Sequence, residues 1–220
     1  MQNTCADLSL WLTLEVVMWA TLLQLTVGTT LGWLLARKRF FGKGVLDVLV
    51  MLPLIFPPIV IGYVLLMMLG RNGWLMTLLP SFLQPEIIFQ TPGLVIAAFV
   101  AGLPLMVKSV QTAFMNIPDS MRQAAAGLGA DPWLVVRWVD WPLARRGIAA
   151  GLMLSCGRSL GEVGISLMLG GNIAGRTETL SLAIYNSVMD GQFSCANYLS
   201  LLLAGMAAVM FFLLKRYGMI

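Results

Sequence analysis

Histidine is absent from these 220 residues. That removes the usual general base, the commonest metal ligand and many proton relays. Charge is scarce, at 11% Asp, Glu, Lys and Arg. The net charge of +4 does not point to nucleic acid, because the basic residues cluster beside apolar runs and form no long polar face. Three cysteines, Cys5, Cys156 and Cys195, are too few and too scattered for a zinc site. No G-x-x-x-x-G-K-[ST] occurs, so the chain is not expected to bind ATP by a P-loop of its own. The leading MQNTCADL lacks the basic stretch of a signal peptide, and the first apolar run is therefore expected to stay as an anchor.

Apolar residues fill the space that charge leaves. They make up 59% of the chain, with a mean hydropathy of +0.85. A bundle of membrane-spanning helices needs that much apolar surface, whereas a soluble domain of this size does not. The sequence predicts an all-α integral membrane protein with five transmembrane helices in one domain, 1–220. The spans are expected at about 8–35, 45–69, 92–113, 147–169 and 195–214, each near or above the roughly 20 residues a bilayer requires. Pro53, Pro57 and Pro58 interrupt the second, which reads as a helix bent beside a cavity or as a packed kink. Residues 71–91, with Trp74, Pro80, Phe82 and Pro85, read as an external loop resting in the interface.

Arg37-Lys38-Arg39 and Lys43 form a basic run without an acid. By the positive-inside bias this loop is cytoplasmic, the N-terminus outside and the C-terminus, after Lys215-Arg216, inside. Arg122, Arg137, Arg145 and Arg146 fall on the same side in this topology, and only Arg71 and Arg176 on outer loops. Lys108, toward the inner end of the third span, is expected to snorkel to the interface.

Two spans carry polar stripes. In the first, Thr13, Thr21, Gln24 and Gly28 share a side suited to helix packing. In the fourth, Ser155, Ser159, Glu162 and Ser166 are spaced four, three and four, which places them on one helical face with Arg158 adjacent. Charges inside a span cost about 2.5–3.5 kcal/mol each on insertion scales, so Arg158 and Glu162 should pair or face a wet interior. Both readings stand at this point: a lining of the translocation pathway, or a structural ion pair.

Residues 116–142 are different in character. Pro118, Asp119 and Ser120 suit a helix start. Met121, Ala124, Ala125 and Leu128 then share one face, and Gly129 can end the helix in a left-handed cap. Asp131-Pro132 starts another helix, and Pro142 precedes the next apolar run. A short helix with a small-residue face lets another protein approach its backbone closely, which makes it a docking element.

Gln123-Ala124-Ala125, then Gly129 after three intervening residues and Val139-Asp140-Trp141-Pro142 after nine more resemble the Glu-Ala-Ala loop of ABC importer permeases, with Gln for Glu, Val for Ile and Trp for Leu. Arg158-Ser159-Leu160-Gly161-Glu162-Val163-Gly164 resembles the Arg-Ser-Leu-Gly-Glu-Phe-Gly segment of molybdate permeases. The loop from Asn172 to Thr179 is similar to one shared by molybdate and sulfate permeases, with Ala174 in place of Pro. The resemblance implies a type I ABC importer permease for molybdate in the bacterial inner membrane, with tungstate and sulfate or thiosulfate as alternative oxyanions. It implies a second permease copy, two ATPase subunits docked on the 116–142 coupling loop, and an extracytoplasmic oxyanion-binding protein. Within that loop Met121, Gln123, Ala124, Ala125, Leu128, Gly129 and Pro142 are the expected ATPase contacts. ATP and Mg would sit on the partner ATPase, with no cofactor or metal in this chain. Membrane lipid surrounds it, and nucleic acid plays no part. A membrane-embedded enzyme is the competing class; its best pairing here would be a Ser155–Lys108 dyad. A secondary transporter or channel would leave the docking loop unexplained.

Overall fold

The computed structural model describes residues 7–71, 73–77 and 87–216. Cys5 lies outside these residues, as do Pro80, Phe82 and Pro85 of the expected external loop. All regular structure among the described residues is helical.

The first span is α1 (Asp7–Leu23), a π turn (Gln24–Gly28) and α2 (Thr29–Arg37), read as one apolar helix over Ser9–Arg37. The expected second span is two helices, α3 (Lys43–Ile55) and α4 (Pro58–Leu69). Phe56 and Pro57 are both extended between them, with ψ of 149° and 134°. The residue before a proline avoids the helical region, and Pro58 then opens α4 at its first turn, where no amide donor is needed. The 45–69 boundary is corrected accordingly. The stretch long and apolar enough to cross is Pro58–Thr77, which includes the short α5 (Trp74–Thr77).

α6 (Thr91–Met115) is the centre of the bundle, packed against the first span, α3, α9 and α10. Its buried face includes Ala97, Ala98, Ala101 and Gly102. Small residues let helix backbones approach where no hydrophobic effect drives them together. At Gly102 the approach is complete: an added Cβ would lie 2.6 Å from the Ser155 carbonyl oxygen and would run into the Gln24 amide. Toward the far end of α6 the filling changes to Met106, Val110 and Phe114, against Ala144 and Ile148.

α7 (Asp119–Gly127) follows, then α8 (Pro132–Val135), a second π turn (Val136–Asp140), α9 (Trp141–Leu160) and α10 (Gly164–Gly170). The helix from Pro132 to Leu160 and α10 are together long and apolar enough to cross and are bent by 60° at their break, the shape of a broken span or a re-entrant loop. α11 (Leu180–Met189) packs on α12 (Phe193–Arg216) through Leu180, Ala183 and Leu199. With the bent pair counted once, the described residues hold five candidate crossings, the number expected from the sequence. Trp11, Trp19, Leu201 and Phe212 are each more than half exposed on the outside of the bundle, as lipid-facing side chains are.

Candidate functional site

Two places carry the residues singled out in the sequence. The first is α7. Asp119 stands in its first turn, where a carboxylate complements the helix dipole. At the other end, Gly129 N–H bonds to Ala126 O at 2.9 Å and Ala130 N–H to Ala125 O at 3.1 Å. This pair of bonds is a Schellman cap, and it requires the left-handed conformation that Gly129 adopts, with φ +83°. Met121, Gln123, Ala124 and Gly129 are exposed, Ala125 is half-buried, and Leu128, just past the helix, is 90% exposed. The face of Met121, Ala124, Ala125 and Leu128 is thus largely uncovered in the single chain. Pro142 stands apart from it, exposed in the first turn of α9. The expected loop to residue 142 is therefore helical from Pro132 onward and runs without a break into the span.

What fixes α7 to the bundle is a residue that pattern reading passed over. Asp140, 3% exposed in the second π turn, accepts from Arg122 Nε at 2.8 Å and from Arg37 Nη2 at 3.2 Å. Arg122 also reaches Asp119 at 3.3 Å, and the Arg37 guanidinium stands 5.9 Å from the Phe114 ring. One carboxylate thus ties the end of the first span, α7 and the start of α9. The signal available in the sequence was a single acid inside the apolar, aromatic run from Trp133 to Trp141.

The second place is the bend of the fourth span. Arg158 Nη1 lies 2.5 Å from Glu162 Oε2, with the Glu162 side chain almost fully buried and that of Arg158 28% exposed. The other carboxylate oxygen, Oε1, accepts from Ile165 N–H at 2.7 Å. Glu162 therefore does two things: it neutralises Arg158 and it caps the open amide end of α10. The expectation of one continuous helix with four polar groups on one face is corrected here. α9 ends at Leu160, between the flexible Gly161 and Gly164 the chain leaves helical geometry, and Glu162 sits in the break.

The serines face into the protein. Ser159 Oγ donates to Ala98 O at 2.7 Å and accepts from Gln24 Nε2 at 2.9 Å. Gln24, fully buried, also donates to Ala98 O and Phe99 O, so the first, third and fourth spans meet at one polar knot. Ser155 Oγ donates to Leu152 O at 3.1 Å, and Ser166 is buried on α10. The other hydroxyls of the first stripe are engaged too: Thr21 Oγ1 donates to Cys156 Sγ, and Thr13 Oγ1 donates to Ser9 O and accepts from Leu180 N–H at 2.8 Å.

The Lys108 ammonium, about one third exposed, donates to Asp47 at 2.6 Å and to Gln111 at 3.0 Å, which makes an ion pair between α6 and α3. Ser155 and Lys108 thus have separate partners and form no dyad. Beyond α10, Thr177 Oγ1 donates to Gly170 O at 2.6 Å and accepts from Ile173 N–H, while Asn186 bonds both Asn172 and Glu178. These bonds hold the 170–179 loop over α11.

The family described as binding-protein-dependent transport system inner membrane component matches residues 28–217. The molybdenum transport system permease protein ModB of Haemophilus influenzae is 38% identical over 188 residues, covering 86% of this chain and 80% of that one. ModB of Escherichia coli K12 is 38% identical over 177 residues, or 80% and 77% of the two chains. A sulfate transport system permease, CysW of Synechococcus elongatus, is 32% identical over 182 residues and is matched over 63% of its length. Among solved structures, a chain of the MetNI methionine ABC transporter in an inward-facing conformation superposes with a TM-score of 0.71, covering 95% of this chain and 92% of that one at 21% identity.

Proposed function

The chain belongs to the family of binding-protein-dependent transport system inner membrane components, and from that premise we propose that it is the permease subunit of an ABC importer for molybdate. The observation that carries the substrate is the 38% identity to molybdenum permeases over most of both chains. The sulfate relative is less similar and less completely covered, which favours molybdate over sulfate.

In this reading two copies of the chain pair in the inner membrane, with the N-terminus outside and the basic loops in the cytoplasm. Two ATPase subunits, which hold the ATP and Mg, dock on the exposed face of α7 at Met121, Gln123, Ala124, Ala125 and Leu128. Gly129 and Pro142 flank that contact. Gln123 offers a neutral hydrogen-bonding group where the resembled motif has a carboxylate, so this docking relies on apolar and backbone contact. An extracytoplasmic binding protein delivers the oxyanion.

The bent fourth span sets the character of the path. Glu162 cancels the charge of Arg158, leaving little net attraction for a dianion at the bend. Selection then falls on the binding protein, and the permease offers the weak binding that lets an ion leave as readily as it enters. Co-expression with its ATPase and purification through a tag on this chain tests the subunit assignment. Equal amounts of the two proteins are expected, and recovery of this chain alone under all nucleotide conditions would overturn it.

A further inference from the structure

A groove of about 760 Å³ opens between the first span and the start of the fourth, beside the π turn that carries Asp140. Leu25, Thr30 and Trp33 form one wall, and Trp133, Arg137 and Trp141 the other. Both π turns of the described chain border it, since Leu25 belongs to one and Arg137 to the other. Such turns are rare and recur at functional sites.

The lining is largely apolar, with Arg137 as its one charged side chain and Thr26, Thr29 and Thr30 as hydroxyls. Arg137 is exposed and has no ion-pair partner among the described residues. A second cation lies close by, with Lys38 Nζ 5.9 Å from the centre of the Trp33 ring. Two groups in the wall, Thr29 Oγ1 and Trp33 Nε1, are buried without a hydrogen-bond partner. The groove also has depth. Leu25 lies about 18 Å along the helix from Arg37, so the groove reaches from the basic end well into the span. A soluble partner meets only the basic end. An acyl chain can follow the groove along its length.

We propose that this groove holds an anionic phospholipid, with its phosphate on Arg137 and one acyl chain lying between Trp33 and Trp141 toward Leu25. Cations at the mouth of an apolar interhelical groove attract a net negative headgroup, whereas a zwitterionic lipid brings a cation of its own. Trp side chains suit the level at which headgroup and chain meet.

The test is native mass spectrometry of the full chain in its complex, released from nanodiscs of equal parts phosphatidylcholine and phosphatidylglycerol. Wild type is expected to retain phosphatidylglycerol in preference to phosphatidylcholine. Arg137→Gln should lower that retention about fivefold. Thr30→Trp, which fills the groove and leaves the cation, should also lose the lipid. Arg145→Gln, an exposed cation beyond the groove, should retain it. Equal retention of the two lipids by wild type would overturn the proposal. So would full retention by Arg137→Gln or by Thr30→Trp, or an equal loss in Arg145→Gln. A disulfide between two Thr30→Cys chains would identify a second copy as the occupant and overturn it as well.

Discussion

Asp140 and Arg122, eighteen residues apart, meet at 2.8 Å and join the exposed helix α7 to the start of a membrane span. Arg37 shares the same carboxylate at 3.2 Å. Removing one member of a buried pair costs about 3–5 kcal/mol, because the other charge is left without compensation. Asp140→Ala strands Arg37 and leaves Arg122 only the exposed Asp119, whereas Arg122→Ala leaves Asp140 with Arg37. The first variant is expected to lower the thermal unfolding midpoint of the purified protein well below that of the second. Equal midpoints for the two variants would show that Asp140 is not the common anchor.

Glu162 is engaged on both carboxylate oxygens, by the ion pair to Arg158 and by the hydrogen bond from Ile165 N–H. Glu162→Gln keeps an acceptor for the amide and loses the charge, so α10 stays capped while Arg158 becomes uncompensated. Glu162→Ala loses both. The expected order of folded yield is wild type, then Gln, then Ala, read by fluorescence size-exclusion chromatography. If the pair also lines the path, Glu162→Gln will change oxyanion uptake per folded molecule, since a net positive charge then stands at the bend. Normal yield and normal uptake in both variants would remove Glu162 from either role.

The face of α7 tests the docking assignment. No atom beyond its chain neighbours lies within 4 Å of a Cβ built on Gly129, so a side chain there meets no clash, only the conformational cost of φ +83°. That cost is about 1 kcal/mol or more. Gly129→Asp and Ala125→Trp are therefore expected to insert normally and to lose ATPase binding or substrate-stimulated hydrolysis. Pull-down together with an ATPase assay reads both, and unchanged values in the two variants would contradict the assignment.

Orientation is read by thiol labelling in a cysteine-free background. A cysteine at Gly42, in the basic loop, should react only with membrane-permeant reagents. One at Gly175, in the loop beyond α10, should react with impermeant reagents once the outer barrier is permeabilised. The reverse pattern would invert the topology.

Much of the fold was legible because long apolar runs have few alternatives in lipid: with the bent pair counted once the described residues hold the five candidate crossings expected, the second displaced to Pro58–Thr77. Local backbone chemistry was equally legible at Gly129, where a glycine after a small-residue helix has one common use. The bend at Gly161–Val163 was not, although two glycines mark it. Polar spacing of three and four is the signature of a continuous helix, and Glu162 fits that spacing while serving as a cap outside it. The pairs Asp47–Lys108 and Asp140–Arg37 were also hidden, because each joins residues far apart in sequence. In the first, a lone acid in one apolar run answers a lone cation in another; in the second, the acid answers the first member of the basic run. The serines read as a stripe are buried in this chain, and Ser155 and Ser159 are hydrogen-bonded there, partners that spacing alone does not reveal.

The claim that matters most is that this permease couples ATP hydrolysis to molybdate import. The direct measurement is ATP hydrolysis by the complex in proteoliposomes, with the binding protein supplied empty, loaded with molybdate or loaded with sulfate. Molybdate-loaded binding protein should raise the rate several-fold above the empty protein, by roughly 1 kcal/mol or more in barrier height, with sulfate well below it. A rate indifferent to molybdate, or raised equally by sulfate, would contradict the account.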